Sequence, residues 1–194
     1  MKSVCVIGLM ILIGNSIWSQ IPQDEIPYYT LTEAKTAFAD TIFGIDLNKE
    51  GLTEIPEELK KFKNLKGLRL TKNKLSELPE FFTSFNQLEF LYLDKNKFTH
   101  FPSKIFHLST LRYLNMSRNE IGAIPAGIKN LKNLKYLDVW DNRFVFIDDS
   151  FAELQQLEFI DFRGTTFAVS FVEKWTRAFP NAEVQFDNPC SCLD

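Results

Sequence analysis

The sequence predicts an α/β solenoid: a curved stack whose concave face is a parallel sheet of about seven short strands, closed by a helix at each end. Three observations predict it. A pattern of apolar residues, Asn and Pro returns every 23 residues along most of the chain. The first apolar positions of each copy alternate with period two, as a half-buried strand requires. Both ends depart from the pattern in ways that read as caps. A fixed period of a few tens of residues marks stacked units that bury a continuous core together.

One copy runs Leu65-x-x-Leu68-x-Leu70-x-x-Asn73-x-Leu75-x-x-Leu78-Pro79, and the next begins at Leu88 and reaches Asn96 and Pro102. Two more follow through Leu111, Asn119 and Pro125, and through Leu134, Asn142 and Ile147. Ile42, Ile45, Leu47 and Ile55 hold the register upstream, with Glu50 in the Asn column; Leu157, Ile160 and Phe162 hold it downstream, with Thr165 there. Consecutive strands form a parallel sheet, and each return segment is the crossover. Asn73, Asn96, Asn119 and Asn142 form a column whose amides can hold turn backbone, a structural ladder and not a ligand site. A single repeat cannot repay the entropy of ordering itself, so stability is shared between neighbours and the ends need caps.

This pattern resembles the leucine-rich repeat family, in the form whose second half reads Leu78-Pro79-Glu80-Phe81-Phe82-Thr83-Ser84-Phe85-Asn86-Gln87-Leu88. The resemblance covers roughly residues 42–187 and implies a horseshoe-shaped binding module. The absence of an N-terminal Cys cluster is similar to small exported bacterial members.

The expected organisation is a signal peptide over 1–19, an N-terminal cap over 20–41, repeats over 42–169 and a C-terminal cap over 170–194. Met1–Gln20 carries one charge, Lys2, before an apolar run at Val4–Gly14 that is short for a membrane span, with a cut expected near Ser19–Gln20. The expected location is therefore secreted, periplasmic or at the cell surface, with no membrane span after cleavage. Loss of Lys2 takes the formal charge from −3 to −4, which gives no reason to expect nucleic acid.

Thr30-Leu31-Thr32-Glu33 matches a capping box and predicts a helix over 31–40, with Leu31, Ala34 and Phe38 on one face. Ser170-Phe171-Val172-Glu173 is a second match, with Phe171, Trp175 and Phe179 on one face before Pro180. A last strand follows, with Val184 and Phe186 in buried columns. Cys190 and Cys192 are a candidate disulfide; an intermolecular bond and free thiols are the alternatives. The Asn188-Pro189-Cys190 start is similar to the cysteine-rich flank of extracellular members, but the further cysteines of that flank are missing.

Between the buried columns, strand residues face the concave surface. Counting the first Leu of each repeat as zero, the +2 column is Gly44, Gly67, Phe90, Tyr113, Tyr136, Phe159 and Glu183. The +4 column is Asp46, Arg69, Tyr92, Asn115, Asp138, Asp161 and Gln185. The aromatic ladder Phe90, Tyr113, Tyr136 and Phe159 is either a binding strip or cross-strand packing. Tyr92 and Trp140 stand off it without a packing duty evident in sequence, and are the stronger candidates for partner contact. Lys72, Lys95 and Arg118, with Lys49, form a basic +7 column, and Asp138, Asp141 and Asp161 make the later repeats acidic, a gradient suited to steering a partner.

Catalysis is not expected. Asp138 and Asp161 adjoin, but Arg163 and Arg143 are placed to neutralise them; His100 and His107 lack a nucleophile; no metal-ligand cluster or phosphate loop is present, and no cofactor is expected. The expected function is non-catalytic binding of a protein or peptide on the concave face. The alternatives are a cell-wall glycan, or an intracellular signalling scaffold if residues 1–20 are not a signal peptide.

Overall fold

A computed structural model describes residues 24–189. The signal-peptide segment and Cys190 with Cys192 lie outside the described residues.

Ten strands occur among them: β1 (Tyr28–Thr30), β2 (Gly44–Asp46), β3 (Gly67–Arg69), β4 (Phe90–Tyr92), β5 (Tyr113–Asn115), β6 (Ala123–Ile124), β7 (Tyr136–Asp138), β8 (Phe146–Ile147), β9 (Phe159–Asp161) and β10 (Glu183–Gln185). Eight form one parallel sheet in the order β1-β2-β3-β4-β5-β7-β9-β10, and β6 pairs with β8 in the return segments. The register is the one the period dictates: Gly44, Gly67, Phe90, Tyr113, Tyr136, Phe159 and Glu183 are direct neighbours. The eighth strand, β1, is an addition to the expected seven. It lies outside the repeat and pairs with β2, Tyr28 against Gly44.

The apolar columns fill the interior; Leu65, Leu88, Leu111 and Leu134, and Leu68, Leu91, Leu114 and Leu137, are fully buried. Each return segment contains a 3-10 turn, at Glu57–Lys61, Glu80–Ser84, Ser103–His107, Ala126–Asn130 and Asp149–Glu153. Pro56, Pro79, Pro102 and Pro125 stand at the first four starts, where a restricted φ suits the entry and the missing N–H costs nothing. Asp148 replaces Pro in the fifth, its carboxylate accepting from Ser150 N–H at 3.0 Å.

The Asn column ties repeats together. Asn73 donates to the carbonyls of Leu47 (2.8 Å) and Leu70 (2.9 Å), and its oxygen accepts from Leu52 N–H at 3.0 Å. Asn119 does the same with Leu93, Met116 and Phe98 N–H, and Asn142 with Met116, Val139 and Ile121 N–H. One side chain thus satisfies a carbonyl in each of two repeats and an N–H of the earlier one. At the last turn, where Thr165 stands in the column, its hydroxyl donates to Asn142 O at 2.8 Å.

Just before this column the chain turns left-handed. Lys49, Lys72, Lys95, Arg118 and Asp141 have φ of 63, 58, 56, 54 and 55°, and Gly164 follows with 83°. That conformation costs a non-glycine residue about 1–2 kcal/mol. It aims each N–H at the next repeat: Lys72 N–H donates to Asp94 O at 2.9 Å and Arg118 N–H to Trp140 O at 2.8 Å. The basic column therefore sits at a fixed turn along one margin of the sheet.

The caps differ from expectation in detail. The first helix, α1 (Leu31–Thr36), has the predicted capping box, with Thr30 and Glu33 bonded reciprocally. It ends at Ala37, which is extended, and a separate 3-10 turn spans Ala39–Thr41. Phe38 is consequently 84% exposed and does not share the buried face of Ala34. The second helix, α2 (Val169–Ala178), starts from Ala168 with no side-chain cap, so Ser170 and Glu173 lie inside it and form no capping box. Phe167 stacks on Phe171 with centroids 4.2 Å apart and sets the entry instead. Trp175 and Phe179 are buried as expected, both against Phe151.

Asn119→Ala removes four backbone partners at once and should cost about 2–4 kcal/mol in urea unfolding. Glu50→Ala, in the same column on an exposed terminal turn, should cost less than about 0.5 kcal/mol.

Candidate functional site

The concave face divides into a covered half and an open half. Residues 24–28 cross the first half. The Asp24 side chain, only 3% exposed, accepts from Tyr28 Oη at 2.5 Å, Tyr92 Oη at 2.8 Å and Arg69 Nη2 at 2.9 Å. The Arg69 guanidinium lies 3.6 Å from the Tyr28 ring centroid and 5.5 Å from that of Tyr92. Burial and the Asp24 charge both push the two phenols well above the usual tyrosine range. Gly44 and Gly67 make room for this strap. A Cβ on Gly67 would come 2.2 Å from Tyr28 Oη, and one on Gly44 would come 2.7 Å from Pro27 O. The aromatic +2 column stops at Phe90 because Ile26 and Tyr28 fill the space beyond it.

Tyr92 therefore has a packing duty that its sequence position hides. It anchors the strap and also packs on Tyr113, centroids 4.9 Å apart. Phe90, Tyr113 and Phe159 are buried, and Tyr136 is half-buried with its hydroxyl on Glu158 at 2.7 Å. The ladder is thus largely cross-strand packing, with Phe90–Tyr113 and Tyr113–Tyr136 centroids at 6.3 and 6.5 Å.

The open half is a cavity of about 520 Å³ over β5, β7 and β9. The structure brings six of the sequence-predicted residues to it: Lys95, Tyr113, Arg118, Tyr136, Trp140 and Phe159. Phe90, Tyr92 and Lys72 do not line it. Asp94, Asn115, Ser117, Asp138, Asp161 and Arg163 complete the wall. Trp140 is half-buried, and the Arg118 guanidinium lies over its ring at 4.6 Å, within 3.6 Å of Asp141.

The adjacent carboxylates are treated unequally. Arg163 forks onto Asp161, with contacts of 2.6, 2.9 and 3.2 Å. Arg143, expected to help, pairs with Glu120 at 3.3 Å because its position past the left-handed turn carries it off the strand face. Asp138 is left with the Trp140 backbone N–H, at 3.1 Å. Burial first, then the charges of Asp161 and Asp94, push its carboxyl up to about 6, against the downward pull of the Trp140 N–H and Arg163. Such a shift corresponds to a penalty of about 3 kcal/mol for the ionised form. Among the described residues, no cluster of three or more His, Cys, Asp or Glu side chains is arranged to hold a metal ion, and no helix is long and apolar enough to cross a membrane. His100 and His107 are exposed.

Two outcomes follow from this geometry. Asp24→Ala should release the strap, and so should Gly67→Phe, which continues the aromatic column into its place. Limited proteolysis should then cut within residues 24–30 while amides of β4–β9 stay protected from exchange; strap resistance in both variants would show that other contacts hold it. The unfolded Asp138 carboxyl titrates near 3.8 and the folded one near 6, so ionisation disfavours the fold as pH rises through that window. Asp138→Asn should therefore add about 1–3 kcal/mol of stability near pH 8 and almost none below about pH 4. A pH-independent difference in denaturant titrations would refute the assignment.

Other proteins share this fold. A profile of the leucine rich repeat family matches residues 87–144. A leucine-rich repeat protein of Leptospira interrogans superposes over 75% of this chain with a TM-score of 0.67 and 30% identity; the chain spans 38% of that protein's length. The leucine-rich repeat ectodomain of the receptor kinase SOBIR1 from Arabidopsis thaliana superposes over 64% of the chain and 71% of its own, with a TM-score of 0.53 and 32% identity. No curated protein sequence matches. Repeat, register, Asn ladder and structural likeness agree: the chain belongs to the leucine-rich repeat family.

Proposed function

We propose that this chain is an exported, non-catalytic interaction module that takes a protein or peptide partner on the open half of its concave face. One observation carries the reading: the strap covers β2–β4 with the chain's own residues, while β5, β7 and β9 leave an aromatic and charged cavity uncovered. Aromatic side chains in a concave patch with Arg beside them are what protein interfaces use as anchors. Trp140 and Tyr136 are the partly exposed rings of that patch, and Arg118 and Lys95 stand at its margin. Export rests on the apolar Val4–Gly14 run and the polar stretch after it.

Glycan binding is the second reading, supported by Trp140 and Tyr136 lying in the same cavity as Asp94 and Asp138, since sugar rings use aromatic faces and carboxylates together.

A crosslinking pull-down from the producing organism, with Trp140→Ala as control, separates these. Trp140→Ala should lower capture of a protein partner by tenfold or more, the scale of an interface anchor. Its half-buried position predicts a loss of only a few degrees in Tm. Undiminished capture would move the site off this cavity, and Trp140-dependent signal on a glycan array would favour the sugar reading. Secreted material beginning near Gln20 would support export.

A further inference from the structure

Asp138 carries a charge that its structural duty does not require. In the +4 column, Asp46, Asn115, Asp138 and Asp161 each accept the backbone N–H two residues on, at 2.8, 2.9, 3.1 and 3.0 Å. Asn115 does so with a neutral amide, so the turn needs no carboxylate. The charge on Asp161 is met by Arg163, and Arg118 is engaged over Trp140 and beside Asp141. Among the described residues Asp138 forms no ion pair, and the same cavity is lined by a second carboxylate, Asp94, beside Lys95.

The covered half of the face shows how the +4 column meets such a charge. There the charged residue is Arg69, and the chain's own strap lays Asp24 against it, with Tyr28 and Tyr92 packed around the pair. Three strands further on, the sign is reversed and the place opposite is open. We propose that this cavity binds a lysine or arginine side chain of a partner polypeptide crossing the sheet as the strap does. The cation would rest on Asp138 and the aliphatic stem along Tyr136 and Trp140. Aromatic rings and a carboxylate in one partly desolvated cavity both favour a cation over a neutral or acidic side chain. This inference rests on the concave-face reading above.

Selection of phage-displayed random dodecapeptides on the purified chain tests it. The enriched peptides should share a Lys or Arg. They should bind Asp138→Asn at least tenfold more weakly, although that variant keeps the turn as Asn115 does. Replacing the shared Lys by norleucine in a synthetic peptide should cost the same factor on the unaltered protein, a measurement independent of any variant's folding. Peptides without a basic residue, or ones that bind Asp138→Asn within twofold yet lose to Trp140→Ala, would overturn this inference and leave the concave-face reading standing. Peptides indifferent to both substitutions would overturn both, and a selection that enriches nothing would overturn this one.

Discussion

The backbone of each turn is completed by a side chain from the next repeat, and the rest of the structure follows from that dependence. Leu52, Leu75, Phe98 and Ile121 present N–H groups that only the following Asn column reaches, and Leu47, Leu70, Leu93 and Met116 present carbonyls that the same amides bridge. A buried polar group without a partner costs about 1–3 kcal/mol. No internal turn is therefore stable unless its neighbour is in place. Apolar burial works the same way, since each Leu column packs against copies on both sides. The array is cooperative between nearest neighbours, and what happens at its two ends decides whether the last repeats stay folded.

The ends solve that problem differently. At the C-terminus the solution is apolar: Phe162, Phe167, Phe171, Trp175, Phe179 and Phe186 form an aromatic plug, with α2 laid across the last repeats. At the N-terminal end the edge of the sheet is continued by β1, and residues 24–27 before it lie over the concave face. That second arrangement covers Arg69 and Tyr92 and leaves the later strands open.

Much of this was legible in sequence, for a physical reason. A 23-residue period with a side-chain alternation of two leaves a single register, so the period alone determines the +2 and +4 columns. The strap could not. Asp24 lies 45 residues from Arg69 and 68 from Tyr92, and no periodicity relates them. Its one trace was the pair Gly44 and Gly67, which interrupts an otherwise aromatic column where a ring would be expected to stack. Local motifs were less dependable than the period. Thr30–Glu33 forms its capping box, whereas at the second helix Ala168 takes the N-cap position beside the stacked Phe167 and Phe171 rings and Ser170 falls inside the helix. Arg143 was misplaced because residues beyond the left-handed turn no longer follow the strand's alternation.

The +4 column is where structural and functional demands can be told apart. Its Asp and Asn members share one duty, holding the N–H two residues on, and Asn meets it as well as Asp. Charge in that column is therefore information beyond the fold. At Arg69 the charge is answered within the chain by Asp24, and at Asp161 by Arg163. Asp138 lies between Asn115, which carries no charge, and Asp161, whose arginine is already forked onto it. Ionisation there works against folding, yet the position lines the open cavity over β5, β7 and β9. A cost borne at a single position, when a neutral residue does the same structural work one strand away, sets Asp138 apart from the other carboxylates of this face.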